Sequence, residues 1–160
     1  MTPEERATLI ASYGRAHHLL LAAAGEFPRE MWQFRPSPDQ WTIHEIFVHV
    51  TDSEANSYVR CRRFIAEPGK EVMAYDEMGW AAALRYHDQS VEQALELFRC
   101  LRGASHALIQ TLPESAWSHT VYHPENGTMT MDDWLRTYER HVPEHVAQMR
   151  SVYEAWRRSR

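Results

Sequence analysis

Two histidines near the C-terminus have the types and the spacing of metal ligands. His141 and His145 are four residues apart, so a helix presents both side chains on one face. The residues around them are apolar at intervals of three and four, and both imidazoles fall within about 60° of the centre of this apolar stripe. We therefore expect the fold to bury both rings, and a metal ion would satisfy both. The stripe consists of Met131, Trp134, Leu135, Tyr138, Val142, Met149, Val152 and Trp156.

A third candidate ligand lies in the segment from Trp41 to Glu54. On a helix through this segment, Glu54 lies near the centre of the apolar stripe and His49 lies on its flank, about 120° away. A flank position on one helix faces a central position on its neighbour in a bundle, so His49 can join the other two histidines. The alternative interpretation of His49 is a solvated or hydrogen-bonded side chain.

Other polar residues on the predicted inner faces allow two interpretations each. Glu54 either orients a histidine or a basic residue such as Arg102, or belongs to an ordinary buried ion pair. Asp52 points away from the stripe, which favours a surface position or a dimer contact. Tyr13 and His17 lie on the inner face of the first helix, either as packed or hydrogen-bonded residues or as pocket lining.

Three further features bear on the candidate site. Pro143 lies between the two helical histidines, where it either kinks the helix and sets their angle or causes a tolerated bend. The loop that carries His123 can approach an open face of the metal. Both cysteines, Cys61 and Cys100, fall on the apolar sides of predicted helices, which indicates small buried side chains, with a disulfide or a catalytic thiol as the alternatives. The remaining histidines have no assigned role.

The periodicity predicts four amphipathic helices that position these residues, at about 4–24, 42–66, 90–112 and 130–158. Capping-box spacings begin the second helix at Thr42 and, in acidic form, the fourth at Thr130. The connections, 25–41, 66–89 and 113–129, are long, and the middle one contains a predicted short helix at Asp76–Tyr86. No strict alternation indicates a sheet. We therefore expect an all-α four-helix bundle in a single domain, 1–160, whose topology the long connections leave open.

Composition narrows the classes of function. The chain has 160 residues, of which 44% are hydrophobic, and a net charge of −5, which argues against nucleic-acid binding. No apolar run approaches the roughly 20 residues that span a bilayer, so no membrane association is expected. The first residues are acidic, unlike a signal peptide. We therefore expect a cytoplasmic protein.

Motifs along nearly the whole chain resemble the DinB/YfiT-like metal-binding four-helix bundles. The segment Trp41–Glu54 follows the pattern W-[ST]-x-x-E-x-x-x-H-h-x-D-x-E, and His141–His145 follows the later H-x-x-x-H. Residues 75–77 and 121–130 also resemble the connections of that family. The resemblance implies up-down-down-up topology, a homodimer, and a divalent metal held by His49, His141 and His145.

Three imidazoles leave coordination positions free for water or substrate. Imidazole suits several transition metals, so the ligands do not select one; we expect nickel or zinc, with iron or manganese as alternatives. Members of the family include thiol-dependent S-transferases and a mycothiol-dependent isomerase. The resemblance therefore implies a transferase that acts on a small molecule with a low-molecular-weight thiol. The alternatives are a metal-dependent hydrolase, with Glu54 or a loop carboxylate as general base, and a non-enzymatic metal-binding stress or damage-response protein, which a site without an adjoining pocket would favour.

Overall fold

Four long helical segments lie side by side in the computed structural model, which describes residues 1–160. The first segment is divided into α1 and α2, the second is α3, the third is α5 and the fourth is α6. The helices are α1 (Pro3–Gly14), α2 (Ala16–Glu26), α3 (Ile43–Ala66), α4 (Glu77–Ala83), α5 (Val91–Ile109) and α6 (Met131–Arg158), with 3-10 turns at Arg29–Met31, Tyr86–Asp88 and Glu114–Ser118. None of these helices combines the length and apolar character that crossing a bilayer requires.

The prediction of a single first helix at 4–24 is wrong in one respect, because the helix is interrupted at Arg15. The Arg15 N–H donates to the Ser12 carbonyl at 3.0 Å, a tight turn that separates α1 from α2. Gly14 precedes the break and lies against α5, where a Cβ atom would come within 2.6 Å of the His106 ring. Glycine weakens the helix at this position and allows the two helices to approach closely.

Both ligand-bearing helices begin where the capping boxes predict. The Thr42 hydroxyl accepts from the Glu45 N–H at 3.1 Å, and the Glu45 carboxylate accepts from the Thr42 N–H at 2.9 Å. Thr130 and Asp133 form the same reciprocal pair at the start of α6. These caps satisfy the first backbone donors of each helix and so fix the starts of α3 and α6.

Contacts between helices establish the topology. The first segment and α6 run parallel, because their paired residues advance together: Arg6–Asp132, Ser12–Glu139 and Glu26–Arg150. The same holds for α3 and α5, through Thr51–Ala94, Glu54–Arg102 and Arg62–Ser105. In contrast, α3 and α6 run antiparallel, through His49–His145, Ser53–His141 and Arg60–Tyr138. The bundle is therefore up-down-down-up, as the resemblance implied.

The last connection contains a small sheet that the sequence pattern did not predict. Strands β1 (Thr120–His123) and β2 (Gly127–Thr130) form an antiparallel hairpin, and Glu71 adds a parallel bridge to Tyr122. Four residues are too few for alternation to be recognisable, and the bridge comes from a distant segment. Gly127, with φ +72°, supplies the left-handed conformation at the turn.

The middle connection and the end of α5 follow the prediction with shorter bounds. The predicted short helix at 76–86 is α4, whose first turn is capped by Asp76 accepting from the Gly79 N–H at 2.9 Å. The third helix ends at Ile109 rather than Leu112. Its Cys100 is exposed, which contradicts the predicted burial, whereas Cys61 on α3 is fully buried.

The core has two apolar parts that meet at a polar layer. On α3, the apolar residues between Ile43 and Val50 belong to the larger part and Cys61 and Phe64 to the smaller one. On α6 the division falls at His141, between Tyr138 and Val142. The residues at the boundary on α3 and α5 are polar and at most 1% exposed: Glu54, Ser57, Arg102 and Ser105. The histidine site lies at this boundary.

Candidate metal centre and adjoining cavity

The structure brings the three predicted histidines together where α3 and α6 meet. One donor nitrogen from each of His49, His141 and His145 lies within 4.8 Å of the other two. The ring centroids are 4.5–5.6 Å apart, and the Nε2 atoms of His141 and His145 are separated by 3.2 Å. This geometry allows a single ion to contact all three rings.

His49 is the strongest sign that this cluster requires an external partner. Its side chain is fully buried, and neither ring nitrogen has a hydrogen-bond partner. The sequence pattern placed His49 on the flank of the apolar stripe and so predicted less burial than the structure shows. The reason is that α3 is enclosed on more than one side. An unpaired buried polar group costs about 1–3 kcal/mol, which a bound cation would offset through the free lone pair.

The two α6 histidines are only half-buried, which corrects the expectation that both would be enclosed. The Nδ1 of His145 lies 2.8 Å from the Gln148 amide oxygen, which can only accept a hydrogen bond. The proton is therefore on Nδ1, and the Nε2 lone pair faces the cluster. The Nε2 of His141 lies 3.4 Å from the Ser53 hydroxyl. Helix α6 continues through Pro143 between these two residues.

The electrostatics of the cluster favour neutral imidazoles. Burial, with a smaller contribution from His145, lowers the pKa of His49 from its ordinary value of 6.5 to about 3. Burial and the two neighbouring histidines lower the pKa of His141 well below 6.5. Burial also lowers the pKa of His145, although its hydrogen bond to Gln148 acts in the opposite direction. Metal ligation requires unprotonated imidazole, so the three side chains are in the ligating form at neutral pH.

One side of the cluster is closed and the other adjoins a cavity. The Trp41 ring lies over His49 with a centroid separation of 4.2 Å and is 7% exposed. Beyond His141, a cavity of about 160 Å³ extends between α3, α6 and the loops that carry α4 and the hairpin. The cavity is lined by Ser53, Arg60, Tyr75, Glu77, His123, Glu125, Asn126, Thr137, Tyr138 and His141. The prediction that the His123 loop approaches this side is therefore consistent with the structure.

The other polar residues predicted on the inner faces of the helices lie outside the histidine cluster. Glu54 is paired with Arg102 at 2.6 Å and accepts from the Tyr13 hydroxyl at 3.0 Å, so its predicted partner is confirmed and Tyr13 is a buried hydrogen-bonded residue. Asp52 is half-buried and accepts from the Tyr86 hydroxyl at 2.7 Å, rather than lying free at the surface. His17 is half-buried and lines none of the major cavities.

Two residues at the site were missed in the sequence, although their spacing gave a signal. Arg60 follows His49 by eleven residues, which is about 20° from a whole number of helical turns, so it lies on the same face of α3. Gln148 follows His145 by three residues and is therefore its neighbour on α6. Both positions could have been found by extending the ligand faces along each helix.

Comparison with known sequences places the chain in a family. The sequence profile of the DinB superfamily matches residues 12–149, which include all three histidines. The chain belongs to the DinB superfamily.

Relatives in this superfamily have been named for metal-dependent chemistry. YfiT of Bacillus subtilis is 28% identical over 110 residues, 68% of this chain and 62% of YfiT, and is provisionally named a metal-dependent hydrolase. A protein of Oceanobacillus iheyensis with the same provisional name is 29% identical over 112 residues, 70% of this chain and 64% of the relative. The matches therefore span just under two thirds of the length of these two relatives.

Solved structures of DinB-type bundles share the fold. YfiT from Bacillus subtilis, described as having an unusual four-helix bundle topology, superimposes with a TM-score of 0.88 at 23% identity, covering 95% of this chain and 87% of YfiT. A mycothiol-dependent maleylpyruvate isomerase gives a TM-score of 0.67 at 17% identity, covering 93% of this chain and 61% of the isomerase. The homodimer and the metal ligation expected for this chain stay predictions.

Proposed function

We propose that the protein is a divalent-metal-dependent enzyme that uses a low-molecular-weight thiol, with His49, His141 and His145 as the metal ligands. The observation that carries this proposal is the set of three neutral imidazoles from two helices, with unpaired nitrogens in His49, next to a polar cavity. Three protein ligands leave coordination positions for a substrate, as in catalytic rather than structural sites. Nickel and zinc are the metals to test first.

The residues around the histidines have positioning roles in this proposal. Trp41 covers His49 and excludes water from that side, while Gln148 holds the His145 ring with Nε2 directed inward. The cavity gives a small ligand access from the side of His141. A divalent cation at the histidines would supply Lewis acidity, lowering the pKa of a thiol or water that it binds.

Two observations support a metal-dependent enzyme over a purely structural metal site. The relatives in the superfamily are provisionally named metal-dependent hydrolases, and one protein of the same fold is a mycothiol-dependent isomerase. The adjoining cavity argues against a purely structural metal site, which would be closed. The finer assignment to thiol transfer rests on the resemblance in fold and motifs.

Hydrolysis is the second candidate, because the relatives' names assign it. Glu54 is unsuited to act as the general base, since it is 1% exposed and its two oxygens accept from Tyr13 and Arg102. The cavity instead offers Glu77 and Glu125. Partial burial and the charge of Glu125 raise the pKa of Glu77, which brings it closer to the range of a general base.

The test combines metal content with activity. The protein is stripped with a chelator, reloaded with nickel, zinc, iron or manganese, and assayed with a panel of thiols and an electrophilic acceptor, and with ester and amide substrates without thiol. We expect about one metal ion per chain and conjugation only in the loaded form. His145→Ala should abolish metal retention, whereas His18→Ala, at an exposed position, should not.

Each outcome bears on a different part of the proposal. Normal metal retention by His145→Ala would contradict the ligand assignment. Metal loading without conjugation by any thiol would contradict the transferase, and metal-dependent cleavage without thiol would favour the hydrolase.

A further inference from the structure

The cavity beside the histidines is lined by charges of both signs that form no ion pair with one another. Arg60 contributes a guanidinium group, and Glu77 and Glu125 contribute carboxylates. None of these three side chains takes part in an ion pair. Elsewhere in the molecule, arginines commonly pair with carboxylates. Separated opposite charges around one small cavity are complementary to a ligand that carries both charges.

Arg60 is held in place by neutral acceptors and forms no ion pair, although its charge acts on Glu77 across the cavity and by itself lowers the pKa of that carboxyl. One terminal nitrogen donates to the Tyr138 hydroxyl at 2.8 Å, and the other donates to the carbonyl of Met73. Its Nε atom is buried and has no hydrogen-bond partner. A guanidinium group fixed in this way retains donors for a planar anion, and a carboxylate is the anion that matches its geometry.

Neutral polar groups connect Arg60 to the histidines. The Tyr75 hydroxyl is buried without a well-formed hydrogen bond, and Ser53 is the polar side chain beside it. Ser53 in turn lies 3.4 Å from the Nε2 of His141. The inner wall of the cavity therefore presents donors from Arg60 up to the proposed metal ligands.

The carboxylates occupy the solvent side of the same cavity. Glu77, at the first position of α4, and Glu125, in the turn of the hairpin, are both exposed. They lie close enough together for the charge of Glu125 to raise the pKa of Glu77. This pair of acidic groups is suited to an ammonium group at the opening.

We propose that this cavity binds the α-amino-acid end of a thiol ligand, with the carboxylate on Arg60 and the ammonium group at Glu77 and Glu125. The ligand's sulfur then faces the histidines through His141. A cavity of about 160 Å³ holds a small head group of this kind rather than a drug-sized molecule. The inference rests on the proposed function, since it identifies the class of thiol that the same site takes.

Three thiols separate the contributions of the two charges. L-cysteine carries both charged groups, cysteamine lacks the carboxylate, and 3-mercaptopropionate lacks the ammonium group. Calorimetric titration of the zinc-loaded protein, with the zinc content measured afterwards, should show L-cysteine binding roughly tenfold tighter than either analogue.

Variants assign each charge to its partner. Arg60→Gln should remove the advantage of L-cysteine over cysteamine, and the double variant Glu77→Gln/Glu125→Gln should remove its advantage over 3-mercaptopropionate. Arg63→Gln is the matched control, because Arg63 lies one turn along α3, outside this cavity, and pairs with Glu67. The glutamate variants change exposed positions, so they test the proposal even if Arg60→Gln folds poorly.

The outcomes distinguish failure of this inference from failure of the proposed function. Equal affinity for all three thiols would overturn the amino-acid site and leave thiol binding intact. If no thiol binds, the metal-free protein is titrated with L-serine and ethanolamine. Preference for L-serine that is lost in Arg60→Gln would then support the cavity against the thiol function, and no binding would overturn both.

Discussion

Two buried polar clusters share α3, one around Glu54 and one around His49, and they differ in whether their members satisfy one another. In the first, the carboxylate of Glu54 accepts from Arg102 and Tyr13, and Arg102 also donates to the carbonyls of Tyr13 and Tyr138. Of the three nitrogens of Arg102, only Nε lacks a partner. In the second, three imidazoles lie together without an anion, and both nitrogens of His49 are unpaired.

The difference separates a structural cluster from a candidate site. Opposite charges with complementary hydrogen bonds require nothing from outside, so the Glu54 cluster holds α1, α3, α5 and α6 together. Like groups with free lone pairs gain a full set of interactions only when a ligand binds. Glu54 and His49 are both almost completely buried, so burial alone does not distinguish the two clusters.

The largest effect should come from breaking the self-satisfied cluster. Arg102→Met leaves the Glu54 carboxyl buried without its cation, and losing one member of a buried pair costs about 3–5 kcal/mol. Urea denaturation should show this loss in the free energy of unfolding. Arg99→Met, which removes an exposed arginine one turn earlier on α5, should leave the unfolding midpoint nearly unchanged.

Metal content provides the second readout for Arg102→Met. The purified variant should still bind zinc in the folded state, because Arg102 forms no hydrogen bond with the histidines and its charge only lowers the pKa of His141. Loss of metal at unchanged stability would show that the two clusters are coupled and would contradict their separation.

The sequence predicted features set by local rules and missed those set by distant contacts. The caps at Thr42 and Thr130 and the i, i+4 spacing of the α6 histidines depend on neighbouring residues, and the structure reproduces them. The break at Arg15 accompanies the approach of Gly14 to His106, and the hairpin includes a bridge from Glu71. The helical spacing places Arg60 on the same face of α3 as His49, but only the fold shows that this part of the face lines a cavity.

An intermediate effect is expected from acid, and it should come from the histidine cluster. In the unfolded chain His49 takes up a proton near pH 6.5, whereas in the folded, metal-free protein its pKa is about 3. The unfolded state therefore binds more protons as the pH falls below 6.5, and stability decreases. Between pH 6.5 and 5 the contribution of His49 to this loss should be about 1.6 kcal/mol, measured by urea denaturation of the metal-free protein.

The pH profile of His49→Leu isolates this contribution. The variant should lose less stability over the same interval, and the remainder comes from His141 and the other histidines with lowered pKa values. Identical pH profiles for the two proteins would contradict the neutral, buried state of His49.

The smallest effect is the one that contrasts the two clusters most directly. At pH 7, His49→Leu removes a polar ring that has no partner, so the metal-free protein should keep its stability or gain about 1 kcal/mol. His44→Leu is the matched control on the same helix, because the Nε2 of His44 lies 2.8 Å from the Gln89 carbonyl, and losing that hydrogen bond should reduce stability.

With zinc at about 100 times its Kd, the wild type should gain about 2.7 kcal/mol while His49→Leu gains much less. Clear destabilisation of metal-free His49→Leu would show that His49 is already satisfied within the fold, and the distinction between the two clusters would fail.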